Sequence, residues 1–199
     1  MIYTFLQFAP LLDFSALEIA IQNFFCDATQ GGGLFTAPPA NATANAENWQ
    51  PPAGKAAFFT GFQAQTFTKA RPRIDLGPVS HTEIQQTRVI DVNGRLWRNA
   101  WNVPLEFFVI TKADYSTHTS MLAKVRAIIQ FMNPISTAIQ TSGLNAFMTL
   151  HELAQIKDAG GQIAGGRLQG EEGYFGTPLK YNAIFAVAAA SWPGGILNA

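Results

Sequence analysis

Between Trp97 and Met132 the hydrophobic period of the chain changes from two to about three and a half, which fixes a strand feeding directly into a helix. In the first part Trp97, Trp101, Val103, Leu105, Phe107 and Val109 occupy odd positions, while Arg98, Asn102, Glu106 and Lys112 occupy even ones, the alternation of a half-buried strand. Phe108 and Ile110 break the alternation and imply cover on both faces there. Pro104 has no N–H to give to a ladder, so the strand is expected to lie at an edge or to bulge at that point. The polar run from Lys112 to Thr117 reads as the turn. From Met121 onward Met121, Leu122, Val125, Ile128, Ile129 and Met132 form one helical face, with Ser116 or Thr117 as the cap and Asn133-Pro134 as the stop. Burying six such side chains contributes on the order of 10 kcal/mol before conformational entropy is subtracted. That is enough to nucleate a core and too little for an independent unit.

The rest of the chain supplies what this unit packs against. Leu17, Ile21, Phe24 and Phe25 fall on one face of a helix predicted over 14–25, with Asp13 or Ser15 as its cap. Residues 28–55 form a long loop or arm rich in Gly, Pro, Ala and Asn, held either by its own domain or by a neighbouring subunit. Residues 56–65 and 66–76 read as two strands, the second made irregular by Pro72. Thr87–Val92, Asn93-Gly94 and Arg95–Arg98 carry the signature of a hairpin with a two-residue type I′ turn. A short helix is expected within 135–146, a strand over 147–157, a glycine-rich hairpin or loop over 160–178, and a last strand over 179–192. The centre of that last strand is apolar on both faces and belongs inside a sheet. The fold class is α+β, a mostly antiparallel β-sheet with helices packed on one face and long ordered loops, in a single domain over 1–199.

Chemistry is harder to place. His81, His118 and His151 have no metal-like companions, no glycine pattern opens a phosphate-binding loop, and no nucleotide, metal or other cofactor is expected. His118, at the start of the predicted helix, suits a hydrogen-bonding or interface role better than catalysis. Glu171 and Glu172 read as a solvated turn, and Cys26, the only cysteine, as core. The apolar first segment is interrupted by Asp13 and Glu18 before a bilayer's thickness is reached, so no signal peptide or membrane span is expected. Charged residues make up 13% of the chain and Lys+Arg balance Asp+Glu at 13 each, few charges for a monomer's solvated surface, so much of the outside is expected to face other protein. A net charge of zero also argues against gripping nucleic acid through its phosphates.

The strand Val103–Thr111, the turn carrying His118, the helix segment Ala123–Ile128 and the late strand Leu179–Val187 resemble those of tail-terminator and neck (head-tail completion) proteins of tailed bacteriophages. Phe58–Phe62 and Arg71–Asp75 extend the resemblance, which covers roughly residues 56–192. It implies a structural virion protein without enzyme activity. Such a subunit forms a ring, commonly a hexamer, at the head-proximal end of the tail, where it caps the tail tube and joins it to the connector. Its partners would be further copies of itself and the tube and neck proteins, with DNA passing through the lumen and no membrane involved. Phe35, Trp49, Phe58, Phe59, Glu171, Glu172, Tyr174 and Phe175 are the candidate subunit interface. Arg71, Arg73, Arg88, Arg95 and Arg98 are the candidate lumen or basic patch, with pairing to Asp75, Glu83 and Asp91 as the alternative. A tail-tube or connector subunit, and a small-molecule-binding or hydrolytic domain using His118 or His151, remain the rival readings.

Overall fold

A computed structural model describes residues 14–29, 31–39, 46–61, 63–67, 69–77, 85–90, 96–112, 114–132, 148–156, 166–167 and 174–187. The elements in chain order are α1 (Phe14–Cys26), β1 (Phe35–Thr36), a 3₁₀ turn (Ala46–Asn48), β2 (Ala56–Thr60), α2 (Gln63–Thr66), β3 (Arg73–Leu76), β4 (Gln85–Ile90), β5 (Leu96–Lys112), α3 (Tyr115–Phe131), β6 (Met148–Ile156), β7 (Gly166–Arg167) and β8 (Tyr174–Val187). The strands among the described residues form one sheet in the order β1-β2-β3-β5-β8-β6, with β4 added to β5 and β7 to β8. Pairing is parallel from β1 to β3 and antiparallel elsewhere, so the sheet is mixed and mostly antiparallel, as the α+β reading requires.

β5 and β8 are the spine. They pair without a register shift from Ala100 opposite Ala186 to Lys112 opposite Tyr174. The other edge of β5 is shared: β4 takes 96–102 and β3 takes 107–110. Pro104 sits in the gap between those two partners, where a missing N–H breaks no pairing, so the strand is locally an edge and needs no bulge. β8 lies between β5 and β6, inside the sheet as its apolar centre led one to expect.

Period-two alternation sorts the spine into two faces. Val103, Leu105, Phe107 and Val109 of β5, with Leu179, Tyr181 and Ala183 of β8, lie on the face covered by α1 and α3. Leu17, Ile21, Phe24 and Phe25 from α1 and Leu122, Val125, Ile128, Ile129 and Met132 from α3 complete that core, with Met121 packed against it. Phe25 stands at its centre, its ring centroid 4.6 Å from that of Phe58 and 5.6 Å from those of Phe35 and Phe107. Both helices therefore pack on one face. β2 is buried throughout because its other side meets a second small cluster of Ala46, Ala57, Phe59, Phe67 and Ala70, closed by Trp49.

Two expectations are corrected. α3 begins at Tyr115, two or three residues earlier than a cap at Ser116 or Thr117 implies, because Asp114 caps it: its carboxylate accepts from the Ser116 N–H at 2.9 Å and the Thr117 N–H at 3.2 Å. The chain from 56 to 76 is not two back-to-back strands. It turns at Gly61, makes the short helix α2 and returns to place β3 parallel to β2, a connection of the length that parallel pairing demands. Of the two alternatives for the arm of 28–55, its own domain receives it at Phe35, Ala46 and Trp49. The β4–β5 pairing is present, but Ile90 stands opposite Leu96 rather than Trp97, one residue off the register of a two-residue turn at Asn93-Gly94. The Asn93-Gly94 turn and the short helix expected within 135–146 lie outside the described residues.

Candidate functional site

The structure divides the proposed interface residues. Phe35, Phe58 and Phe59 are at most 1% exposed, held in the two apolar clusters of the protomer, and so are corrected from interface to core. Two consecutive phenylalanines on a strand point to opposite faces, and both faces of β2 are covered, so neither ring reaches a neighbour. Trp49 is half-buried, its ring packed against Phe59 and Phe67 with centroids 6.1 and 5.5 Å away. Tyr174 and Phe175, at the start of β8, are half-buried, and Glu171 and Glu172 lie outside the described residues.

The arginines are also divided. Arg71 and Arg73 come together on the sheet face away from the helices, and both are engaged within the protomer. The Arg71 guanidinium lies 5.3 Å from the centroid of the Tyr174 ring, and its Nη1 donates to the Ala70 carbonyl at 2.7 Å. Arg73 pairs with Asp75 at 3.1 Å, donates through Nη1 to the Phe67 carbonyl and lies 5.8 Å from the centroid of Phe59. Arg73 and Asp75 stand two residues apart on one strand, so the pairing runs along β3 rather than across to a neighbour. These two arginines hold the outer cluster to the sheet rather than form an open basic patch. Arg88 and Arg98 belong to β4 and β5, with side chains outside the description, and Arg95 lies outside the described residues.

The most constrained polar site is the corner where β5 ends, α3 begins and β8 enters. His118 is 3% exposed, one helical turn before Leu122, and therefore on the buried face of α3. Its Nδ1 shares a 2.8 Å hydrogen bond with Thr111 Oγ1 of β5, and its Nε2 shares another of 2.8 Å with Thr177 Oγ1 of β8. Both threonines are buried. In the neutral ring one nitrogen donates and the other accepts, and a hydroxyl serves either role, so all three groups are satisfied. Phe175 covers the imidazole at a centroid distance of 5.7 Å, and Tyr115, exposed at 67%, packs edge-on against Phe175. Burial lowers the pKa of His118 below its ordinary value, so the ring is neutral at pH 7. A hydrogen-bonding role for His118 was legible from its helix-start position; Thr111 and Thr177 were not singled out, although Thr111 follows the buried odd-numbered series of β5.

The histidine ring and the hydroxyls of Thr111 and Thr177 are enclosed by α3 and the sheet. Among the described residues no group of three or more His, Cys, Asp or Glu converges as a metal site would, and no helix is long and apolar enough to cross a membrane. His151 lies in β6, where the register shifts between Leu150 and Glu152, and its side chain is outside the description. A scan against models of protein families and a search of curated proteins both give no match for the chain.

Cys26, at the end of α1, packs against the main core, and burial pushes its thiol up to about 11, only partly offset by Lys55. Its thiolate fraction at pH 8 is roughly a hundredfold below that of a free cysteine. Alkylation by iodoacetamide at pH 8, followed by mass spectrometry, is therefore expected to be about a hundredfold slower in the folded protein than in urea. Equal rates would place the thiol in the open.

Proposed function

We propose that this protein is a structural subunit of a tailed-bacteriophage virion, forming a ring at the head-proximal end of the tail that caps the tube and joins it to the connector. The observation that carries the reading is the length of the spine. β5 runs for 17 residues, about 56 Å when extended, whereas the 17-residue α3 that packs on it reaches only about 26 Å. Among the described residues β5, with its partners β4, β8 and β6, therefore runs past the length of α3. A sheet end of that kind, on a chain with only 13% charged residues, suits burial against a neighbouring copy. The corner aromatics Tyr115 and Phe175 add a second, different contact, and a closed head-to-tail ring needs two such unlike surfaces. The enclosure of His118 weighs against the hydrolytic alternative that would use it.

Light scattering across a range of protein and salt concentrations tests the assembly. The expected result is a discrete closed species, near 130 kDa for a hexamer of the 21.6 kDa chain. Negative-stain electron microscopy should show rings with an open lumen. Long tubes would reassign the protein to the tail tube. A strict monomer at every concentration, also in the presence of tail tubes, would overturn the structural reading.

A further inference from the structure

His118 ties three elements together through two hydrogen bonds to neutral hydroxyls, and its burial favours the uncharged ring. From α3 the nearest charged side chain is Asp114, one turn earlier, whose carboxylate is taken up by the Ser116 and Thr117 amides and, at 2.6 Å, by the Thr117 hydroxyl. On β5 and β8 the residues sharing the face of His118 are Val109, Thr111, Phe175, Thr177 and Leu179, none of them charged. Lys112, Tyr174 and Lys180 alternate to the opposite face. β7 brings Arg167 to the register position opposite Phe175, a cation rather than an anion. A proton on the ring would force both nitrogens to donate and both threonine hydroxyls to accept, and would leave a buried charge without a facing carboxylate among the described residues.

We propose that His118 is an acid-sensitive latch: neutral, it pins the first turns of α3 to the β5–β8 ladder, and on taking up a proton it releases that corner, with Tyr115 and Phe175, while the rest of the sheet stays closed. The latch controls the exposed aromatic surface of the corner, so acid changes the shape presented there without unfolding the protomer. The sign follows from proton linkage. The released ring binds a proton near its ordinary value of 6.5, and the latched ring only at a lower pH. Between those points the released state holds more protons, so the latch is at full strength above about 6.5 and weakens as pH falls. The opening equilibrium then rises by up to about tenfold for each pH unit below 6.5, until the latched ring itself titrates.

Hydrogen exchange of the unmodified protein and of His118→Gln, from pH 8 to pH 5 and corrected for intrinsic rates, tests this. Glutamine keeps hydrogen-bonding capacity and cannot titrate. Amides 118–122 of the unmodified protein are expected to lose protection by up to tenfold per unit below pH 6.5, while amides 103–109 of β5 keep theirs and the variant stays flat. An unmodified protein without that pH dependence, a variant that shares it, or an equal loss across β5 would each overturn the latch. Should the variant fail to fold, the His118 ring is titrated by NMR in the unmodified protein. Release of the α3 amides that tracks the ring supports the latch, and a ring that charges while those amides stay protected refutes it.

Discussion

Phe58→Ala is expected to destabilise the protomer by about 3–5 kcal/mol, whatever its state of assembly. The ring is fully buried and meets Phe25 at 4.6 Å and Phe107 at 6.5 Å between centroids, so alanine leaves a cavity walled by α1 on one side and β5 on the other. Against a total stability of roughly 5–15 kcal/mol that is a large fraction. Urea unfolding followed by circular dichroism, at two protein concentrations, separates core from interface. A core residue lowers the midpoint equally at both concentrations. A residue at a subunit interface would leave folded protomers with an unchanged midpoint and lose only the oligomer, and that outcome would reinstate Phe58 as a contact residue.

The same phenylalanine shows where the sequence was readable and where it was not. Strand and helix periods are local properties, so the spine strand expected over 97–112 is found at Leu96–Lys112, and the first helix expected over 14–25 at Phe14–Cys26. What covers the second face of β2 is not local. Phe58 and Phe59 looked like surplus aromatics because the residues that enclose Phe59, namely Ala46, Trp49, Phe67 and Ala70, come from an arm and a short helical crossover with little hydrophobic pattern of their own. The parallel pairing of β2 with β3 was hidden for the same reason, since it depends on the path between the strands rather than on either strand. The cap of α3 falls at Asp114, two or three residues before the expected Ser116 or Thr117, and Tyr115–Ser120 contains no aliphatic residue on the inner face to mark the first turns. The buried residue there is His118, and only the threonines of β5 and β8, Thr111 and Thr177, make its burial intelligible. The candidate corner was thus half written in the sequence: a histidine of hydrogen-bonding character, without its partners.

The glycine triplet after α1 offers the other large effect, because its three members are expected to respond differently to the same substitution. A Cβ on Gly31 would lie 1.8 Å from the carbonyl oxygen of Phe25 and 2.7 Å from its carbonyl carbon, backbone atoms of the last turn of α1 that cannot swing aside. The Gly31 N–H also donates to the Asp27 carbonyl at 2.9 Å, so the chain is held against the helix end from both sides. Gly31→Ala must therefore move α1 relative to the turn that delivers Phe35 to the core, and about 3 kcal/mol, the upper end of overpacking costs, is expected. Gly32 and Gly33 have φ of 62° and 68° and nothing within 4 Å of a built Cβ. Alanine at either position meets only the left-handed backbone cost, about 1–2 kcal/mol. Thermal unfolding of the three single variants should therefore place Gly31→Ala clearly below the other two. Equal losses at all three positions would mean that the close approach at Phe25 relaxes without consequence, and that the helix end is not fixed by the turn that follows it.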